Sequence, residues 1–458
     1  HNINQRTTEA TSVEATNQII FGIDDITNFD THRPLSSDFI QRRFHGIFGD
    51  FQFSYRDTYF LNVVARNDWS STLPAENRSY FYPGASASVI LTDALGITSK
   101  VLSYAKLRAG IAQVGNDAPP YRVETQFVTN PAFSGTQFPF TSPDGSLSNT
   151  VSNDPLLGNT GLRPELTTEY EVGADLQFFN NRIGLDVTYY NRVSTNNIVQ
   201  IDVAPSSGVQ NVTENLGEVK NYGVELGLSL TPIELQNGLR WDIFTAFTRN
   251  RNEVVSLQQG LDQIFIGGLA GGNLGIVHRP GLPFGQIFGS RYARDGQGTL
   301  LIRPDNGEPF EEPDLGIIGD PNPDFTLGLS NTITFRGLTL SALLEWRQGG
   351  DMYSETAQQL LGRGVTTELD QDIPREAGRI IPGLEGEQQE DGTVVAALDD
   401  NGNTIPNDYV IGHYALRRFA DTAPFEGNVF DATTVRLREV SIGYQFSDNL
   451  LEKTPFGS

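Results

Sequence analysis

Five histidines, His1, His32, His45, His278 and His413, stand singly along the chain. None has a partner at the spacing that sets two imidazoles on one helix face around zinc, so no zinc site is expected. With no cysteine in the sequence, a thiolate ligand, a thiol nucleophile and a disulfide are all excluded. Carboxylates are abundant instead, 56 Asp and Glu in 458 residues. A pair of them could hydrolyse a glycosidic bond, but such pairs meet only in three dimensions and their abundance singles out none. GGLAGGNLG (267–275) is glycine-rich without the βαβ unit that a phosphate-cradling loop needs, and reads as a flexible loop. DDNGNTIPND (399–408) offers Asp399, Asp400, Asn401 and Asn403 as oxygen ligands, but lacks the Glu that closes an EF-hand loop. A solvated turn is its first reading and a Ca2+ site its second. Otherwise no cofactor, no metal centre and no catalytic residue is expected.

The elements that must position any site are strands. In TEYEVGADLQFF (168–179), Tyr170, Val172, Ala174, Leu176 and Phe178 alternate with Glu169, Glu171, Gly173, Asp175 and Gln177. One face is apolar and the other acidic or bare. After Asn180 and Asn181 the alternation resumes, with Ile183, Leu185, Val187 and Tyr189 opposite Gly184, Asp186, Thr188 and Tyr190, which predicts a β-hairpin. The pattern recurs at 47–55, 59–66, 80–91, 105–112, 221–230, 241–248, 324–335, 338–346 and 435–446. Weaker candidates near 121–128 and 284–293 bring the total to roughly a dozen strands. Apolar parity switches between Leu437 and Val440, which predicts a bulge. Helical periodicity is confined to a short helix at 355–363.

Many of these strands reach the roughly 9–11 residues that a tilted membrane strand needs. Aromatics gather at their ends, at Tyr80–Phe81–Tyr82, Phe178–Phe179, Tyr189–Tyr190 and Tyr444 with Phe446, as in the girdles of outer-membrane barrels. Some connections are tight, at 180–181 and 336–337. Others are long and irregular, at 129–167, 250–283, 294–323 and 350–432, and count against a compact soluble domain. The opening residues show no targeting segment, and no apolar run is long enough for a membrane helix. No linker divides the chain, so 1–458 reads as one domain.

A formal net charge of −24 excludes nucleic acid as a partner, because nothing here could neutralise a run of phosphates. The polar face of the strands is read in two ways. In a soluble sandwich Glu169, Glu171, Asp175, Asp186 and Glu225 face bulk water; in a large barrel they face an aqueous lumen. Periodicity does not separate these readings. Arg66, Asp68 and Trp69 could form a ligand clamp, but the expected role is structural, Arg66 and Asp68 in a polar network on the lumen side and Trp69 at the membrane interface.

Six stretches carry a family resemblance: ARNDWSSTLPAENRSYFYPGASASVIL (65–91), KLRAGIAQVGND (106–117), GNTGLRPELTTEYEVGADLQFFNNRIGLDVTYYNR (158–192), NLGEVKNYGVELGLSLTPI (215–233), DPNPDFTLGLSNTITFRGLTLSALLEWRQGGDMY (320–353) and DATTVRLREVSIGYQF (431–446). In this order, from about residue 40 onward, they resemble the barrel of SusC/RagA-type TonB-dependent outer-membrane transporters of Bacteroidetes. The resemblance implies an all-β, antiparallel transmembrane barrel of about 22 strands, with long extracellular loops and short periplasmic turns. It also implies a Gram-negative outer membrane, an N-terminal plug, a TonB box engaging the TonB–ExbB–ExbD complex, and a SusD-like surface lipoprotein. The expected function is active import of oligosaccharides or peptides, without covalent chemistry. Glu171, Asp175, Asp186 and Glu225 are then lumen-facing candidates for substrate contact. The sequence departs from the family in showing no plug and no TonB box, and in stopping at NLLEKTPFGS (449–458) where the family continues. It therefore reads as an internal part of a barrel, one that would not insert stably by itself because unpaired sheet edges are costly in lipid. A passive porin and a secreted all-β glycan-active enzyme are the alternatives.

Overall fold

Twelve strands build one sheet, and in the computed structural model their spatial order is their chain order. They are β1 (Asn2–Gln18), β2 (Phe29–Tyr55), β3 (Tyr59–Ser70), β4 (Ser79–Ile90), β5 (Leu102–Asn116), β6 (Glu165–Phe178), β7 (Ile183–Thr195), β8 (Glu218–Glu234), β9 (Leu239–Ser256), β10 (Phe325–Phe335), β11 (Leu338–Gln348) and β12 (Thr434–Tyr444). Such an antiparallel meander is the topology of an up-and-down barrel wall. The structure describes residues 2–446 except 20, 22–27, 126, 130–139, 142–146, 149–150, 154–155, 204–208, 210, 258–259, 270–273, 367–377, 413–414 and 417–422. His1, His413, much of the 129–167 connection and the tail NLLEKTPFGS lie wholly or mostly outside these residues. No described helix is long and apolar enough to cross a membrane. The strands, 11 to 27 residues long, exceed the bilayer requirement.

The chain divides into two compact units, 1–96 with 107–172 and 191–219, and 97–106 with 173–190 and 220–458. The division runs within strands β5 to β8, consistent with the lack of any linker in the sequence.

In the first unit, Ile47, Phe51 and Phe53 of β2 and Tyr59, Leu61 and Val63 of β3 are all exposed. Large apolar side chains on the open face of a sheet suit acyl chains, whereas a soluble sandwich would bury them. The core here is small: Leu73, Tyr80, Ala118 and Leu162, flanked by Phe44, Tyr82 and Ile198. This corrects the girdle expectation at the foot of β4. Only Phe81 points outward, at 57% exposed, while Tyr80 is 6% exposed; period-two geometry sends the flanking tyrosines inward. β1 and the first half of β2 escape the sequence reading because NINQRTTEATSVEATNQ has too few apolar residues to alternate. The candidate near 121–128 is a short strand, Phe127–Thr129, paired with Val151–Asn153 outside the wall.

In the second unit, β10 and β11 are joined by a two-residue turn, Phe335 pairing with Leu338. Arg336 and Gly337 both have positive φ, 48° and 87°, as a type I′ hairpin demands. Leu343 pairs with Glu439 and Leu344 with Leu437, so Arg438 is the extra residue of the expected bulge. The helix Glu355–Gly362 starts where Ser354 caps the Ala357 N–H. The long connections are more ordered than their composition suggests. Ile264–Leu269, Leu274–His278, Gln286–Gly289 and Gly316–Gly319 form a four-stranded sheet, and Leu301–Ile302, Leu384–Gln388 and Val394–Ala396 a three-stranded one. The latter packs around Ala293, Leu301 and Phe310. The glycine-rich run is also corrected: Gly268 pairs with Gly275 and Leu269 with Leu274, so its ends are hairpin arms, with the tip at 270–273 outside the described residues.

Candidate functional site

The polar face of the first unit begins with the bend between β3 and β4. Cross-strand register sets Arg66 opposite Tyr82 and Asp68 opposite Tyr80. The Arg66 Nε lies 2.8 Å from Asp68 Oδ1 and 3.0 Å from Oδ2, but its N–H is aimed at Oδ2. Tyr82 donates its hydroxyl to the same Oδ2, so Oδ1 has a close cation but no hydrogen bond. Asp68 is 1% exposed, and an unpaired carboxylate there would be costly. Gly46 of β2 makes room for this pair, since a Cβ at that position would come 2.2 Å from Arg66 Nη2 and 2.5 Å from Asp68 Oδ1. Trp69 turns the other way and is exposed.

A second carboxylate, Asp117 just past β5, ties the end of the bend. Arg42 reaches it with Nε at 3.0 Å and Nη2 at 2.5 Å. Ser70 donates to it, and so does Thr72 at 2.9 Å. The sequence reading missed Asp117, Arg42, Ser70 and Thr72. Its signal was the polar end GND of an otherwise alternating strand.

Beside this anchor the polar face holds a depression of about 200 Å³. Asn62, Ser86, Gly84, Gly110 and Ala112 line it together with Glu169 and Glu171. The hollow exists because two adjacent strands, β4 and β5, place small residues side by side. A Cβ on Gly84 would sit 2.9 Å from Val64 Cγ2, and one on Gly110 3.4 Å from Ser86 Cβ. Glu169 accepts from Arg192 at 2.5 Å and Glu171 from Arg108 at 3.3 Å. Both carboxylates line the hollow while their arginines do not. The Asn62 Oδ1 is buried and has no hydrogen-bond donor. The lining is thus rich in acceptors, suited to ligands bearing hydroxyl or N–H donors, and presents no nucleophile–base pair.

In the second unit, Asp186 accepts from Thr188 at 3.3 Å, and a Cβ on Gly227 would lie 3.6 Å from the Asp186 Cβ. Tyr190 donates to Asn250 at 2.9 Å and overlies Gly223. These contacts set Asp186, Thr188 and Tyr190 on one face with the glycines of β8. Asp175 of β6 is half-buried and Glu225 of β8 exposed; among the described residues no side-chain hydrogen bond or ion pair holds either. Of the four substrate candidates, only Glu171 lines the hollow.

Asp399 lies far from any wall strand in sequence. Its Oδ1 accepts from the N–H groups of Asn401 and Asn403, each at 2.8 Å, and Asn403 Nδ2 lies 3.2 Å from Oδ2. These bonds, chiefly that from the Asn403 backbone, hold its carboxyl below the usual range. Asp400 is exposed beside it. Among the described residues no three His, Asp or Glu side chains converge as a metal site requires.

Residues 4–300 match the family model described as TonB dependent receptor-like, beta-barrel. The chain belongs to that family. It is similar to the TonB-dependent receptor P3 of Formosa agariphila, 26% identical over 432 residues, covering 89% of this chain and 39% of that protein. It is also similar to the TonB-dependent receptor SusC of Bacteroides thetaiotaomicron, 25% identical over 309 residues, 64% of this chain and 30% of that protein. Among solved structures, the RagAB peptide importer in its closed-closed state matches with a TM-score of 0.68 at 17% identity, covering 99% of this chain and 47% of that one. That likeness concerns the fold. The chain therefore spans less than half the length of these relatives. Membership identifies the meander as part of an outer-membrane β-barrel.

Proposed function

We propose that this chain forms part of the wall of an outer-membrane importer of oligosaccharides or peptides. A SusD-like lipoprotein delivers the substrate, and TonB supplies the energy. The observation that carries this reading is the hollow at Glu169, Glu171 and Asn62, an acceptor-lined recess on a wall whose outward face is apolar. Oligosaccharide hydroxyls and peptide N–H groups both supply the donors it lacks. On this reading Glu171 contacts substrate at the recess, and Asp175, Asp186 and Glu225 are further lumen-facing candidates for substrate contact. Arg66 and Asp68 hold the wall in shape, Trp69 meets lipid, and catalysis plays no part. A protein named as a peptide importer among the structural neighbours keeps peptides level with glycans.

The test uses the whole protein in its own cells, following uptake of a labelled oligosaccharide and a labelled peptide with and without collapse of the proton-motive force. Uptake of one probe should stop on collapse. Glu169→Gln with Glu171→Gln should weaken its binding about tenfold, the equivalent of one charge-assisted hydrogen bond. Uptake that persists after collapse would establish a passive pore, and cleavage of the probe an enzyme.

A further inference from the structure

The chain as a whole is acidic, with 56 Asp and Glu against 32 Lys and Arg, yet one edge of the second unit reverses that balance. The second unit's share of the short connections, at 97–101, 179–182, 235–238 and 336–337, contains Lys100, Arg182 and Arg336 and no acid, the one carboxylate of the 91–101 connection, Asp93, falling in the first unit. Backbone contacts join these connections to one another or to a neighbouring strand. Phe179 N–H donates to Val101 O at 2.8 Å, and Thr231 N–H to Arg182 O at 2.8 Å. Gly238 lies against Arg336, and Gln445 N–H donates to Gly337 O at 2.8 Å. Lys100, Arg182 and Arg336 are exposed, and among the described residues no ion pair engages any of them. The nearby Arg240 differs, being held by Glu234 at 3.0 Å and Asp242 at 2.6 Å.

Exposed apolar side chains lie in or next to these connections in sequence, at Phe179, Leu235, Phe335 and Leu338, and the exposed Tyr444 lies against Gly337. The Arg336 guanidinium carbon stands 5.2 Å from the centre of the Phe335 ring, which fixes the charge at the level of the aromatic belt. Arg336 also takes a left-handed conformation, φ 48°, at a turn position where Asn or Gly is the easier occupant. The first unit has a cation beside an aromatic at its own tight turn, where Arg56, φ 54°, stands 5.1 Å from the Tyr55 ring centre, but there Asp57 follows it.

A row of cations at turns whose neighbouring residues are exposed and apolar matches the layering of a phospholipid, phosphate outside and acyl chain inside. We propose that this short-turn rim binds membrane glycerophospholipids, with Lys100, Arg182 and Arg336 on headgroup phosphates and Phe179 and Phe335 at the acyl boundary. The rim would set the depth and tilt of the wall in the leaflet that the short turns meet, independently of what the protein transports.

The test compares the whole protein with the variant Lys100→Gln, Arg182→Gln, Arg336→Asn, both purified in detergent and titrated with phosphatidylglycerol. Retained lipid is counted by native mass spectrometry. Each neutralised cation should lower retention about fivefold, so the triple variant should lose more than tenfold, while a phosphate-free diacylglycerol should bind both proteins equally weakly. Arg336→Asn suits the left-handed turn, so this single change keeps the test open, with an expected fivefold loss, if the triple variant does not accumulate. Unchanged retention in the variants would overturn the proposal. So would displacement of the lipid by inorganic phosphate beyond what chloride achieves at equal ionic strength, which would mean a site for free anions.

Discussion

Two regions use carboxylates in opposite ways. In the first unit, Asp68 and Asp117 are buried and bind across strands; Asp68 joins Arg66 of its own strand to Tyr82 of the next, and Asp117 holds Arg42, Ser70 and Thr72, 75, 47 and 45 residues away. In the outlying loops of the second unit, Asp295, Asp391 and Asp399 accept from N–H groups only two to four residues on. A carboxylate that binds its own turn shapes a few residues. One that binds across strands fixes register and bend together, and desolvation makes its loss expensive.

The largest effect is therefore expected at Asp68. Asp68→Ala leaves Arg66 facing Tyr82 without a counter-charge and removes the acceptor for the Tyr82 hydroxyl. Breaking a buried pair costs about 3–5 kcal/mol, and because Arg66 is only partly buried the lower end applies. A clear fall in the unfolding temperature of the detergent-solubilised protein should follow. If unfolding is unchanged, Asp68 does not hold the bend.

Gly46→Ala comes next. Its methyl would occupy the space now taken by the Arg66 guanidinium, which cannot swing aside without releasing Asp68. Overpacking of this kind costs about 1–3 kcal/mol. The same substitution at Gly49, which has open space around it, should be silent. Equal effects at the two positions would show that the cost comes from the glycine backbone and not from the ion pair.

Most of the wall was legible from alternation alone, because a sheet with lipid on one side and water on the other writes its two faces directly into the sequence. Glu171, Asp175, Asp186 and Glu225 could be placed on the polar side for that reason. Which of them lines a hollow could not be read, since that depends on Gly84, Gly110 and Ala112 becoming neighbours across strand register, which a period of two does not encode. The small sheets within the long connections were missed for a related reason. Strands of two to five residues, such as Leu301–Ile302 and Leu384–Gln388, are too short to show a period. The inward turn of Tyr80 and Tyr82 was readable in principle, because they share parity with Gly84 and Ser86.

A smaller and pH-dependent effect separates the loop sheets from the wall. His278 is 3% exposed, stacks on Phe284 at 3.8 Å and accepts the Gly285 N–H through Nδ1 at 3.1 Å. Burial lowers its pKa below the usual value near 6.5. The unfolded chain therefore takes up the proton first as the medium is acidified. Stability from neutral His278 is fully present above about pH 6.5 and is lost as pH falls through the lowered value. Protection of the amides of 274–288 against hydrogen exchange, taken relative to the intrinsic rate at each pH, should fall over that range, and His278→Gln should abolish that fall. Protection that stays flat with pH would mean that the imidazole is not what pins this turn.

The smallest effect is expected at Asp399, and it sharpens the comparison from the other side. Asp399→Ala removes two backbone acceptor bonds, but the turn is exposed and water replaces the lost partner for each freed N–H. Unfolding temperature should not move, while the Asn401 and Asn403 amides should exchange faster. Added Ca2+ discriminates further. A carboxylate already occupied by its own turn should leave unfolding unaffected at millimolar calcium, whereas stabilisation that disappears with Asp399→Ala would show that the ion displaces those bonds. In that case an exposed turn carboxylate would order more than its own few residues, and the contrast with Asp68 and Asp117 would narrow to one of burial alone.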